Sequence, residues 1–267
     1  MSESLKAWRR YSSASQGGHL IRPRLVGHPR AFPVLDEKRI VDIGTTKWTV
    51  KQLASKYKPI IRQKSTWHNQ PLRMTYEIID EETRYIIRYH VVWLDEIHPI
   101  PLVNLVYRQF RILYYGSALD IEMIEVSVDK TSGHTSKVVF ETEPEKGSDL
   151  IPSHTKAILS RINHKYAMMI GDRQPIEVLP TFHNDRIEFL ASSWNHEFAI
   201  QFSRSDTRLF DLPLEFLNER EYASLRYETR RQASAKSFHK LGTQILLMCW
   251  FFLSPFVVFL ALLRRKG

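Results

Sequence analysis

Cysteine is nearly absent from this sequence. The single example, Cys249, lies inside an apolar stretch. The rest of the chain therefore has no thiol for a disulfide, a thiolate metal site or a cysteine nucleophile. Catalytic signatures are lacking as well: there is no G-x-S-x-G elbow, P-loop, G-x-G-x-x-G turn, H-E-x-x-H helix or EF-hand loop. These gaps remove support from the common hydrolase, nucleotide-binding and zinc-peptidase classes, and no motif names a cofactor. Residues 1–30 lack the continuous apolar core of a secretory signal. Their basic side chains, Lys6, Arg9, Arg10, Arg22, Arg24 and Arg30, face only Glu3, so the segment reads as a disordered basic tail, with a transit peptide as the second reading. No internal repeat divides the remainder of the chain.

The chain is 267 residues long, 43% hydrophobic, with a net charge of +9 and a pI near 9.6. That is enough chain for one substantial domain and an appendage, or for two small domains. The positive balance suits anionic lipid or nucleic acid and is silent on fold. The basic residues cluster near an apolar stretch and no RNA or DNA module is evident, which places nucleic acid behind a membrane as the expected partner.

The apolar stretch is residues 241–263, LGTQILLMCWFFLSPFVVFLALL, without a charged side chain. At 1.5 Å per residue it makes roughly 34 Å of helix, enough to span a hydrocarbon core. Pro255 is tolerable there because Ser254 and a local kink can absorb the lost hydrogen bond. Arg264, Arg265 and Lys266 follow it, while Arg230, Arg231, Lys236 and Lys240 precede it. These flanks are the candidate sites for anionic headgroups, and their near balance leaves orientation to the missing signal peptide, which favours a cytosolic domain. Residues 211–240 read as a helical stalk, with Pro213 as a first-turn residue and Leu214, Leu217 and Leu225 at about helical spacing.

Residues 31–210 form the expected soluble domain. Runs at 73–79 and 83–94, separated by Asp80-Glu81-Glu82, predict a hairpin; runs at 120–128 and 137–142 predict a second, and 175–179 with 186–193 a third. Helices are expected at 50–57, 102–114 and 153–164. The fold class is thus β-rich α+β, an antiparallel sheet or sandwich with a few short helices, a stalk and one C-terminal transmembrane helix.

Three polar groups are the chemical candidates. His90, Asp95, Glu96 and His98 lie in YHVVWLDEIHP, where strand alternation sets His90 on the face opposite Tyr89 and Trp93. Asp120 and Glu122 share a strand face with Ile124, Val126 and Val128, and would either end the sheet in solvent or line a pocket with raised pKa values. Trp194-Asn195-His196-Glu197 follows another strand. Were the three to meet, His90, His98, Asp120, Glu122 and His196 would offer an oxygen and nitrogen set for a metal.

The segments Leu53-Ala54-Ser55-Lys56-Tyr57-Lys58-Pro59-Ile60-Ile61 and Asp120-Ile121-Glu122-Met123-Ile124-Glu125-Val126 resemble spaced motifs of vacuolar-protein-sorting-associated β-rich domains. The resemblance implies a β-rich fold and no defined reaction. The sequence departs from it where Ile121 stands for the tryptophan of the D-W-E element and Ser117-Ala118-Leu119 for the preceding histidine-rich segment. Two functions emerge as expectations: a single-pass membrane-anchored adaptor whose domain binds a protein or lipid at the membrane surface, and a membrane-anchored hydrolase using a metal or carboxylates at His90, Asp95, His98, Asp120 and Glu122.

Overall fold

A computed structural model of the chain describes residues 34–115, 119–142, 155–162 and 165–217. Its strands are β1 (Ile40–Ile43), β2 (Thr46–Thr49), β3 (Ile60–Lys64), β4 (Pro71–Asp80), β5 (Arg84–Trp93), β6 (Asp120–Asp129), β7 (Thr135–Thr142), β8 (Thr155–Ile162), β9 (Lys165–Ile170), β10 (Ile176–Val178), β11 (Phe182–His183), β12 (Arg186–Ala191), β13 (Phe198–Ala199), β14 (Thr207–Phe210) and β15 (Leu214–Phe216). The helices are α1 (Val50–Tyr57) and α2 (Pro101–Tyr115).

Eight strands form the main sheet in the order β10-β9-β8-β7-β6-β5-β4-β15, antiparallel except where β15 runs parallel to β4. The two hairpins expected in its centre are present. The β4–β5 turn is closed by Glu81 N–H donating to Arg84 O, 3.0 Å. In the β6–β7 turn, Asp129 Oδ1 accepts from Thr131 N, Ser132 N and the Ser132 hydroxyl. Gly133 takes φ +67°, and a Cβ there would approach Ile43 Cγ2 to 2.9 Å, so glycine fits for two reasons.

Alternation sorts the main sheet into two faces. One carries Met74, Tyr76 and Ile78 of β4, Ile87, Tyr89, Val91 and Trp93 of β5, and Ile124, Val126 and Val128 of β6, all buried. Onto it packs a smaller mixed sheet, β11-β12-β3-β14 with β13 beside β12, in which β3 and β12 are parallel. The seam is aromatic: Phe140 meets Phe189 at 5.2 Å, Phe189 meets Phe198 at 5.5 Å, and Trp93 meets Phe198 at 6.1 Å. Helix α1 joins the same core through Val50, Leu53 and Ala54, spaced for one helical face. A capping box starts it, with Thr49 and Gln52 each accepting from the other's backbone N–H. The Tyr89 hydroxyl then pins it by donating to Ala54 O, 2.7 Å.

Some expectations need correction. Residues 155–162 are strand β8, paired on both sides, and not the helix expected at 153–164. Ala, Leu and Lys favour helix locally, but alternating Ala157 and Leu159 fill a gap between two strands, and that pairing wins. The third expected hairpin is split: β10 pairs with β9 in the main sheet and β12 belongs to the smaller one. The turn residues Asn184 and Asp185 serve β11–β12 instead, with φ 47° and 62°, as a two-residue turn between right-twisted strands requires. Residues 214–216 are an edge strand rather than the start of a stalk, and β15 extends the domain past residue 210.

The rest of the stalk, the basic tail, the flanking basic residues and the 241–263 stretch lie outside the described residues. Among the described residues no helix is long and apolar enough to cross a membrane.

Candidate functional site

At the end of the main sheet where β4 and β6 begin and β5 ends, polar side chains gather inside the protein. Strand register puts Trp93 opposite Asp120 and Val91 opposite Glu122, so the two carboxylates continue the apolar face inward. Both are buried, as are Glu96, His98, Asn195, His196 and Glu197. The end-of-sheet placement in solvent is thereby excluded for Asp120 and Glu122.

His196 arrives from the tight β12–β13 connection. Ser192 N–H donates to Glu197 O at 2.8 Å, His196 N–H donates to Ser193 O at 3.1 Å, and His196 itself takes φ 59°. This turn aims the imidazole at the sheet end, where Nδ1 lies 2.7 Å from Asp120 Oδ2. The ring stacks on Trp93, centroids 4.4 Å apart and planes 12° from parallel. On its other side Nε2 is 3.3 Å from Asn69 Nδ2. That amide also donates to Asp95 O, which fixes its orientation. Asn69 therefore donates to Nε2, and the imidazole proton sits on Nδ1, donated to Asp120.

A second layer ties α2 to this end. His98 N–H donates to Asn104 Oδ1 at 2.9 Å, the Tyr107 hydroxyl donates to Glu96 Oε2 at 3.1 Å, and Arg108 Nε donates to Asp95 Oδ2 at 2.6 Å. Trp194 makes edge contacts with His98 at 4.6 Å and Tyr107 at 5.6 Å. Asn104, Tyr107 and Arg108, three and four residues apart, are one face of α2. Opposite them, at the start of the helix, apolar side chains are exposed: Leu102 58%, Leu105 62% and Val106 52%. The loop before it adds exposed Leu94, Ile97 and Ile100, and the start of β4 adds Leu72.

Of the residues singled out in the sequence, Asp95, Glu96, His98, Asp120, Glu122, His196 and Glu197 are brought to this end. His90 is not. It points to the far face, level with Thr75 and Met123, on the side where Arg88 pairs with Glu125 at 2.9 Å and Glu77 at 3.5 Å. Burial, then Arg88, lowers its pKa to about 4. The five-residue metal set is corrected accordingly: His90 is on the wrong side of the sheet, and among the described residues no three His, Cys, Asp or Glu side chains are arranged to hold a metal ion. Asn69, Tyr107 and Arg108 were missed by sequence reasoning. Asn69 carried no signal, whereas the 104, 107, 108 spacing was a polar stripe open to notice.

Burial pushes the Glu122 carboxyl well above its ordinary range, with Asp120, Glu141, Glu96 and Glu197 adding in the same direction. The folded protein thus holds a proton that the unfolded chain releases near pH 4.5. This contribution to stability is full below that pH and declines as pH rises toward the folded pKa, by up to about 1.4 kcal/mol per unit. Glu122→Gln removes the titration while keeping the shape. Urea titrations should show the variant gaining on the parent as pH rises from about 4.5 to about 8; parallel curves would mean that Glu122 ionises normally.

Comparison with protein families, with curated proteins and with solved structures found no match.

Proposed function

We propose that this chain is a single-pass membrane-anchored protein whose β-rich domain acts as a binding module at the membrane surface, on the cytosolic side. The observation that carries this reading is the charge-free run 241–263, long enough to span a bilayer and bracketed by basic residues. The arrangement of polar groups favours binding over hydrolysis. Both ring nitrogens of His196 are engaged, by Asp120 and Asn69, so the imidazole is held as a strut and not poised as a base. Asp95 and Glu96 are likewise occupied in fastening α2. Such a network gives a rigid surface.

The test uses the full chain with an epitope tag at each end. After alkaline carbonate extraction the full chain should stay with the membrane pellet, and a chain ending at residue 240 should move to the supernatant. Protease added to sealed cells should leave the N-terminal tag intact until the plasma membrane is opened, and should then remove it without detergent. Full release of the intact chain by carbonate would defeat the anchored reading; a tag shielded until detergent is added would place the domain on the other side.

A further inference from the structure

The network at the sheet end has an outer consequence. It clamps α2 by its polar stripe, Asn104, Tyr107 and Arg108, and so holds the apolar stripe outward with the flanking Leu94, Ile97 and Ile100. Single exposed apolar side chains are ordinary on a protein surface, but a contiguous ridge marks a contact site. We propose that this ridge is an interfacial membrane-insertion surface: α2 lies along the bilayer plane, with Leu102, Leu105 and Val106 among the outer acyl segments and Arg108, half exposed at its margin, at headgroup level.

The occupant follows from the chain itself, and the inference rests on the anchored reading above. Strand β15 ends at Phe216, level with Tyr76 in β4, and the charge-free run begins at residue 241. The sheet end carrying the ridge is only about 17 Å from Tyr76, five residues along β4. The connection of about 23 residues reaches roughly 35 Å even if wholly helical, and more if extended. A bilayer is thus always within reach of the ridge, whereas a soluble partner must be captured from dilution. The connection also carries Arg230, Arg231, Lys236 and Lys240, which draw the same end toward an anionic surface. A helix with one apolar and one polar face, fixed in orientation by its own domain, loses little freedom on inserting.

The lone cysteine makes the test direct. In the full chain carrying Cys249→Ser, one cysteine is introduced at Leu105→Cys or Leu102→Cys, and in a separate protein at His134→Cys, an exposed position in the β6–β7 turn at the opposite end. Each is labelled with an environment-sensitive fluorophore and reconstituted into phosphatidylcholine–phosphatidylserine vesicles, with carbonate extraction run on the same preparation. Labels at 105 and 102 should shift to the blue, lose emission to lipids brominated on the acyl chain, and resist aqueous iodide; the label at 134 should do the reverse. Iodide quenching at 105 without bromolipid quenching, in carbonate-resistant protein, overturns the insertion and leaves the anchored reading intact. Shielding from both quenchers overturns it in favour of a protein or a second copy covering the ridge. Release by carbonate removes the anchored reading and the inference with it.

Discussion

Trp93→Ala should lower the stability of the domain by about 3–5 kcal/mol, the range for emptying a tryptophan-sized volume in a packed core. Trp93 is fully buried at the last position of β5, paired with Asp120 on one side and Pro71 on the other. One face of its indole stacks on His196, and its ring also meets Phe198 in the aromatic seam. Its removal therefore costs packing in the core and opens the wall beside a buried polar pair. The indole N–H has no hydrogen-bond partner among the described residues, so the contribution is one of shape and area. Trp93→Phe, which keeps a ring against His196, should accordingly retain most of the stability that alanine loses. Urea midpoints for the two variants decide it; equal losses would mean that the indole contributes something a smaller ring cannot.

Asp120→Ala should also destabilise the domain, by about 1–3 kcal/mol and for a different reason. The carboxylate is the acceptor for His196 Nδ1–H at 2.7 Å, and both side chains are more than nine-tenths buried. Truncation strands a donor away from water, and the penalty is that of the abandoned group more than of the bond itself. Asp120→Asn keeps an oxygen in reach and should cost much less. In a double-mutant cycle with His196→Ala the coupling should lie at about 1–3 kcal/mol, since each single change already removes the shared contact. A coupling near zero would mean that the two side chains do not interact in solution. The contrast with Glu122, two residues along the same strand face, is informative. There ionisation is disfavoured, so the amide should gain on the carboxyl as pH rises, whereas at 120 the acceptor is required.

How far these features were legible depends on the distances in sequence over which each is decided. The β4–β5 and β6–β7 hairpins could be read because alternation and turn chemistry are local. So could the strand face that Asp120 and Glu122 share with Ile124, since alternation needs only a period of two; whether that end of the face met solvent or the interior could not, because it depends on what packs over it. The meeting of Asp120 with His196 could not: 76 residues separate them, and the turn that aims His196 is held by β12, whose parallel partner β3 lies far earlier in the chain. Helix α2 was visible as an amphipathic segment, but periodicity does not say which face turns inward. The ordinary assumption buries the apolar side, whereas here Asn104, Tyr107 and Arg108 face the domain and Leu102 and Leu105 face away. Strand β8 was misread because a central strand's preference comes from neighbours on both sides, and neither neighbour is in the local sequence.

The smaller sheet has a temporal consequence. Strand β3, from the first quarter of the chain, sits between β12 and β14, both of which emerge more than a hundred residues later. Until residue 191 has been made β3 has neither neighbour, and until residue 210 it still lacks one, so the lid over the aromatic seam stays incomplete. Synthesis must therefore carry an unfinished, apolar-faced sheet almost to the end of the domain, and closure waits on the joining of distant segments, a slow step in any chain of high contact order.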